Sequence, residues 1–403
     1  MSLRVPARVA SRVRSIQPSI TLAVDAKAKQ LKAEGRDIIG FGAGEPDFDT
    51  PDHIKNAAIA ALNKGVTKYA PSGGSLELRD AIVHKLKRDN GLTYKRSQVI
   101  VNIGAKHTLY EIFMAIVERG NEVIIPAPYW VSYPEMVRAC EGVPVFVSAP
   151  ASQNFKITPR QLEKAITAHT VAVVLNSPSN PTGMVYTPEE LHELAEVAVA
   201  HGQLIISDEI YEKLLYEDAK FVSVASFSPE IYERTVTVNG FSKAFSMTGW
   251  RLGYAAGPEW LIEAMNTLQS HSTSNPVSFA MSGAVEALNA GYDFLPAFLE
   301  AFDRRRRALV KALNAIEGVT CPNPKGAFYV FPDFSALLGL STPEGKQINN
   351  TLDLSEYLLE QGVAVVPGEG FGAPGCLRLS YAISDKNVEE GARRIAAAIE
   401  RLQ

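Results

Sequence analysis

Cysteine is scarce in this chain of 403 residues: Cys140, Cys321 and Cys376 are odd in number and far apart. That spacing excludes a disulfide framework and any CxxC metal or redox site, and it fits a reducing cytoplasm. Long apolar runs are missing too. Segments such as Val171–Leu175 and Val363–Val366 fall far short of a membrane span, and there is no apolar core of a secretion signal. Neither sign of charge dominates: 40 Lys+Arg stand against 44 Asp+Glu, a net charge of −4, so nothing marks the chain as a nucleic-acid or membrane-surface binder. HExxH, GxSxG, Walker and GxGxxG patterns are absent. His192 and His201 lie nine residues apart, the wrong spacing for a zinc helix, and the seven histidines read as structural or solvated, with no metal expected.

What is present is an ordinary globular composition, 46% hydrophobic and 21% charged. At roughly 150 residues per domain the length suggests two domains. Arg4, Arg8, Arg12 and Arg14 precede the first acid, Asp25. A basic, acid-free start is compatible with a transit peptide; without an apolar core it reads rather as a surface arm over residues 1–20.

Short β-branched runs alternate with amphipathic segments of helical length. Strands are expected at Val99–Asn102, Glu122–Pro126, Val143–Val147, Val171–Asn176, Leu204–Asp208, Thr235–Asn239 and Leu252–Ala256, and helices at Leu109–Glu118, Pro159–Ala168 and Pro188–His201. Strands apolar on both faces, each followed by a helix, predict a mainly parallel sheet covered on both sides, filling residues 53–295. The remainder, with further strands at Gly326–Phe331, Val363–Pro367 and Leu377–Ser380, reads as a smaller α+β domain. The expected division is thus the arm, a large domain at 53–295, and a small domain formed by 21–52 with 296–403.

Ligands of open parallel sheets bind beyond the carboxyl ends of the strands, so those ends are where chemistry is sought. After the first strand, Gly104-Ala105-Lys106 runs straight into a helix, whose free N–H groups and dipole suit a phosphate. After the second comes Trp130, a flat face for a planar ring. The fourth ends in Asn176-Ser177-Pro178-Ser179-Asn180-Pro181-Thr182-Gly183, a loop stiffened by its prolines. The fifth ends in Asp208, an acid costly to bury without a cation, followed by Tyr211. The sixth leads to Lys243 in an apolar, glycine-flanked segment, where partial burial lowers the amine pKa and suits a Schiff-base nucleophile; Arg251 follows eight residues on.

Taken in order, Gly44-Glu45-Pro46-Asp47-Phe48, Tyr69-Ala70-Pro71, Gly104-Ala105-Lys106, Pro128-Tyr129-Trp130, Asn180-Pro181-Thr182-Gly183, Asp208-Glu209-Ile210-Tyr211, Ser242-Lys243 to Gly253, and Arg378-Leu379-Ser380-Tyr381-Ala382 resemble the class I/II aminotransferases of pyridoxal-phosphate fold type I. The likeness runs from about residue 15 to the end, and is nearest to the short bacterial aspartate subgroup, some members of which also act on prephenate. It implies a seven-stranded sheet sandwiched by helices, pyridoxal 5'-phosphate as cofactor, amino and keto acids as substrates, and a cytoplasmic homodimer with shared active sites. Residue by residue, Lys243 resembles the lysine that binds the cofactor aldehyde and moves the proton. Asp208 resembles the carboxylate on the ring nitrogen, and Tyr211 and Asn180 the groups on the ring oxygen. Trp130 resembles the stacking aromatic. Gly104, Ala105 and Lys106 with Arg251 resemble the phosphate cup, Tyr69 the tyrosine that reaches the neighbouring subunit's cofactor, Arg378 the clamp on the substrate α-carboxylate, and Gly44 the small residue bordering the substrate.

The implied reaction is transfer of the amino group of L-aspartate to 2-oxoglutarate by a ping-pong route. An aromatic, prephenate or broad-specificity aminotransferase, or a β-lyase, would share Lys243, Asp208 and Arg378, so these stay open; a catalytically silent regulatory module does not fit, since every catalytic position is filled. Two positions depart from the pattern. Gly240 stands where many relatives carry a phosphate-binding Ser, and Gln17 stands where prephenate-active relatives carry a Lys, which weighs against prephenate.

Overall fold

Alternation along each strand sends successive side chains to opposite faces, and here both faces are apolar. In the computed structural model, which describes residues 9–403, these runs become strands. They are β1 (Ile39–Gly40), β2 (Val99–Asn102), β3 (Glu122–Ala127), β4 (Val143–Ser148), β5 (Thr170–Asn176), β6 (Leu204–Asp208), β7 (Thr235–Gly240), β8 (Gly253–Ala256), β9 (Tyr329–Val330), β10 (Val363–Ala364), β11 (Val366–Pro367) and β12 (Leu377–Ser380). The main sheet has seven strands in the order β2-β8-β7-β6-β5-β3-β4. The pairs from β4 through β7 are parallel, and β8 alone runs against its neighbours β7 and β2.

Both faces are covered. Val123, Ile125, Val174, Ile206 and Val238 pack with Leu109, Ile112 and Phe113 of the helix Ala105–Ile116 and with Leu261 and Met265 of the helix Glu259–Ser272. Ile124, Val173, Leu175 and Ile205 point the other way, onto Leu191 and Leu194 of the helix Pro188–Ala200. The helix Ala105–Ile116 begins four residues before the expected Leu109 because Gly104, at φ 81, turns the chain directly into its first turn. The helices at Pro159 and Pro188 start as expected, each with Pro in the first turn and a capping box from Thr158 or Thr187. They stop at Ala165 and Ala200.

The smaller region holds the antiparallel sheet β11-β12-β9, the parallel pair β1-β10, and the helices Leu295–Asn314, Thr351–Glu360 and Asp385–Ile399. These share a buried core that includes Phe302, Leu309, Phe328, Leu377 and Ile395. The run Val363–Pro367, read as one strand, is two: Val363–Ala364 pairs with β1 and Val366–Pro367 with β12. Two partners in different sheets claim its two ends, so it cannot stay one straight strand. Of the expected arm, residues 1–8, with Arg4 and Arg8, lie outside the described residues; residues 10–18 are exposed and carry one helical turn, Ser11–Arg14. Among the described residues no helix is long and apolar enough to cross a membrane.

Glycines set the tightest approaches in the main sheet. A Cβ on Gly253 would lie 2.3 Å from the Ala105 nitrogen, and one on Gly240 2.9 Å from the Gly253 Cα. The helix Ala105–Ile116 therefore enters directly against the end of β8, and the residue at position 240 has no room to be Ser. Gly253→Ala is expected to lower stability by about 1–3 kcal/mol, as overpacking does. Gly249→Ala, where an added Cβ meets nothing within 4 Å, is the control. A guanidinium melt that shows equal midpoints for the two variants would refute this account.

Candidate active site

The carboxyl ends of β2, β3, β5, β6 and β7 lie on one edge of the sheet, and the loops leaving them surround a cavity of about 430 Å³. The loop Gly42–Glu45, residues Thr21, Leu22, Asp25 and Lys29 of the helix Ile20–Ala33, and Tyr329 and Arg378 of the smaller region close its other side. Nearly all the expected site residues meet here: Gly44, Ala105, Lys106, Trp130, Asn180, Asp208, Tyr211, Lys243, Arg251 and Arg378 line the cavity.

Asp208 ends β6 and is buried. Its Oδ2 accepts the Tyr133 hydroxyl at 2.5 Å and its Oδ1 the Ile210 N–H at 3.3 Å. No cation pairs with it among the described residues, and burial pushes its pKa up to about 6. No helix follows Asp208 directly; residues 210–213 form a turn.

Lys243 is half-buried, and its Nζ donates to the Gly44 carbonyl. Burial first, then the Arg378 charge, lowers its pKa to about 8. Arg378, in β12, is 2% exposed. Its Nη1 donates to Asn180 Oδ1 at 3.0 Å and its Nη2 to the Gly42 carbonyl at 2.7 Å, while Nε is buried without a partner. The guanidinium lies over the rings of Tyr329, at 4.6 Å, and Phe371, at 5.1 Å. It makes no salt bridge among the described residues, an expensive state for a buried charge.

Across the cavity, Lys106 and Arg251 are open to it. Lys106 Nζ lies 5.0 Å from the Trp130 ring centre. Arg251 takes a left-handed backbone, φ 56, and its guanidinium lies against Gly104, where a Cβ would come within 2.5 Å of Nη2. Gly104 thus backs the cavity without lining it. The Tyr211 and Tyr329 hydroxyls are 2.9 Å apart. Tyr69 is elsewhere: it is 90% exposed, beside a groove lined by Val66, Ala70, Met281 and Val285.

Sequence reasoning missed Tyr133, Tyr329 and the contact of Glu45 with the Thr248 hydroxyl at 3.0 Å. Tyr133 had a faint signal, three residues past Trp130 on the same strand-end segment. Tyr329 had none, since it sits in a short apolar strand of the smaller region. Among the described residues no group of three or more His, Cys, Asp or Glu could hold a metal ion.

The family model for aminotransferases of class I and II matches residues 36–395. An aspartate aminotransferase of Geobacillus stearothermophilus is 52% identical, covering 98% of this chain and 99% of that protein. A probable aspartate/prephenate aminotransferase of Aquifex aeolicus is also 52% identical, over 98% of this chain and 99% of its own. The crystal structure of the aspartate aminotransferase of Rhizobium meliloti superposes with a TM-score of 0.95 at 46% identity, covering 99% of this chain and 100% of that one. That of Thermus thermophilus, solved with maleate, gives 0.91 at 45% identity, covering 98% and 100%. The chain belongs to the class I and II aminotransferases, and its fold is that of the pyridoxal-phosphate enzymes of fold type I.

The site fits that cofactor. An unpaired buried carboxylate, an amine of lowered pKa, and a helix N-terminus flanked by Arg251 match a ring nitrogen, an aldehyde and a phosphate. The raised pKa of Asp208 has a stability consequence without cofactor. The unfolded chain ionises this carboxyl at the ordinary 3.8 and the folded one at about 6, so its ionisation weakens the fold as pH rises through that window. Asp208→Asn is therefore expected to stabilise the cofactor-free protein by about 3 kcal/mol above about pH 6, and to lose that advantage toward pH 3.8. Melts of both proteins across this range check it; a gain that does not change with pH would refute it.

Proposed function

We propose that this protein transfers the amino group of L-aspartate to 2-oxoglutarate by a ping-pong mechanism, giving oxaloacetate and L-glutamate. One observation carries the reading: a half-buried lysine amine and, unpaired by any opposite charge among the described residues, a buried carboxylate and a buried guanidinium face one cavity. Each lacks the partner that cofactor or substrate would bring. The aspartate aminotransferase names of the full-length relatives support the same substrate.

Bound pyridoxal phosphate supplies an aldehyde that takes up an amine and an aromatic ring that withdraws electrons from the adjacent carbon. Asp208, held by Tyr133, would pair with the ring nitrogen and keep a proton on it. Asn180 and Tyr211 would hold the ring oxygen, and Trp130 would offer a flat face to the ring. The N–H groups at the start of the helix Ala105–Ile116 and the Arg251 guanidinium hold the phosphate; Gly104 and Gly253 allow that approach. Lys243 would hold the aldehyde until the substrate amine displaces it; its freed amine, beside the cavity, would then take the proton from the substrate Cα. Its lowered pKa keeps a useful share of it uncharged near neutrality. Arg378 receives the α-carboxylate through a planar two-donor edge. Gly44 borders the substrate: its missing side chain makes room for the Tyr329 hydroxyl, which a Cβ would meet at 2.9 Å.

The second carboxylate of aspartate falls to Lys106, whose ammonium projects over Trp130 and makes no salt bridge among the described residues. Gln17 carries no charge to offer that carboxylate; it is exposed, and its backbone N–H donates to Glu135 Oε2 at 2.8 Å. The placement of Arg378 in the smaller region, opposite Lys243, supports two domains, 53–295 and 21–52 with 296–403, that close over substrate and exclude water. The exposure of Tyr69 supports a homodimer in which Tyr69 of one protomer reaches the cofactor phosphate of the other. Three free cysteines support a cytoplasmic setting.

Lys243→Ala is expected to abolish turnover and borohydride-trapped cofactor while keeping cofactor bound non-covalently. Arg378→Gln should raise KM for every amino donor, and Lys106→Met only for dicarboxylic ones, each by roughly 10–100-fold for a lost charged hydrogen bond. A donor panel of aspartate, glutamate, alanine and phenylalanine tests both. Equal losses for alanine and aspartate in Lys106→Met would overturn the placement of the second carboxylate, and failure of the wild-type protein to exchange aspartate with 2-oxoglutarate would overturn the function.

A further inference from the structure

The loop Gly42–Thr50 has no regular structure beyond β1, yet two charged groups of the cavity, Arg378 and Lys243, rest on it. The Gly42 carbonyl accepts Arg378 Nη2 at 2.7 Å, and the Gly44 carbonyl accepts Lys243 Nζ. On one side the loop is tied to the segment after Lys243: the Thr50 hydroxyl donates to the Ser246 carbonyl at 2.6 Å, Trp250 Nε1 donates to Thr50 at 3.1 Å, and the Thr248 hydroxyl donates to Glu45 at 3.0 Å.

On the other side the tie is ionic. Arg305, in the helix Leu295–Asn314, is 7% exposed. Its Nη1 donates to Asp47 Oδ1 at 2.9 Å and its Nε to Asp385 Oδ2 at 3.2 Å. Asp385 is itself gripped by Arg304 through both oxygens, at 2.7 and 3.0 Å. The next residue, Phe48, stacks on Phe298 with ring centres 4.1 Å apart and planes 7° apart, and meets Phe302 edge-on at 5.3 Å. A buried guanidinium with two carboxylates and two rings is a rigid fixture, and it lies outside the catalytic cavity.

We propose that Asp47 and Arg305 are positioning residues for substrate recognition. Their ion pair sets the height of the Gly42–Gly44 carbonyls, and through the Gly42 carbonyl it sets the plane of the Arg378 guanidinium that receives the α-carboxylate. Asp47 touches neither cofactor nor substrate and acts only through the loop. A shift of the order of 1 Å in such a support costs up to about 100-fold in the reaction it positions.

The inference rests on the aminotransferase reading, and its test separates the two. Asp47→Ala, Asp47→Asn and Arg305→Lys are made in the holoenzyme. Measured are KM and kcat for L-aspartate, the dissociation constant of succinate (an unreactive dicarboxylate), the dissociation constant of pyridoxal phosphate, and the melting temperature. Asp47→Ala is expected to raise the aspartate KM and the succinate constant together by about tenfold, with kcat within about threefold and cofactor affinity within about twofold. Asp47→Asn, which keeps an oxygen for Arg305, should fall between Asp47→Ala and wild type. KM and succinate affinity unchanged within about twofold would overturn the proposal, as would a parallel loss of cofactor affinity, the mark of a merely structural role. If Asp47→Ala does not fold, Asp47→Asn and Arg305→Lys decide by the same criteria. Absence of aspartate turnover in the wild type would overturn the reaction and leave the succinate comparison standing.

Discussion

A buried charge without a counter-charge is costly to a fold, and among the described residues this one holds two within one cavity. Among the described residues the Asp208 carboxylate has only a phenol and a backbone N–H, and Arg378 only neutral oxygens and ring faces. Dedicated partners within the chain would make both more comfortable and would leave neither free to bind anything. The elevated Asp208 pKa and the unpartnered Arg378 Nε are the visible signs of that cost. The rest of the architecture follows from carrying it: a sheet buried on both faces, tight glycine approaches, and neutral residues that hold each charged group in place without cancelling it.

Lys243 obeys the same logic with the opposite sign. Burial and the nearby Arg378 guanidinium push its proton off, and the Asp208 carboxylate and Glu45 oppose this more weakly. An amine poised near neutrality suits a group that must be a nucleophile at one moment and a proton carrier at the next. Glycine works alongside by absence. At Gly104, Gly240 and Gly253 a single added carbon would collide with a guanidinium or a backbone, so the departure from Ser at position 240 is a packing requirement of this chain.

The main sheet was legible because its strands are short, apolar on both faces and punctuated by Gly and Pro; all seven were located, each to within a residue at each end. The strand ends in turn exposed Asp208, Asn180 and Lys243, since an acid, an amide and an amine after apolar runs stand out. Tyr133 was only faintly legible, and Tyr329 and the Arg305–Asp47 tie were not. A tyrosine inside an apolar run looks like core, and an arginine in a charged helix looks like a solvated face, until the chain brings a distant partner to it. The run Val363–Pro367 shows the same limit in the backbone, because only pairing decides where one strand becomes two.

The amino-acid order by itself determined the periodicity, the alternation of strand and helix, and the residue types waiting at each strand end, because these depend on neighbours along the chain. The folded structure alone decided which of those residues face one another, which charges are left without partners, and which carbonyls support them. Those are properties of contacts between segments as far apart as Gly42 and Arg378, and local sequence carries no energy term for them.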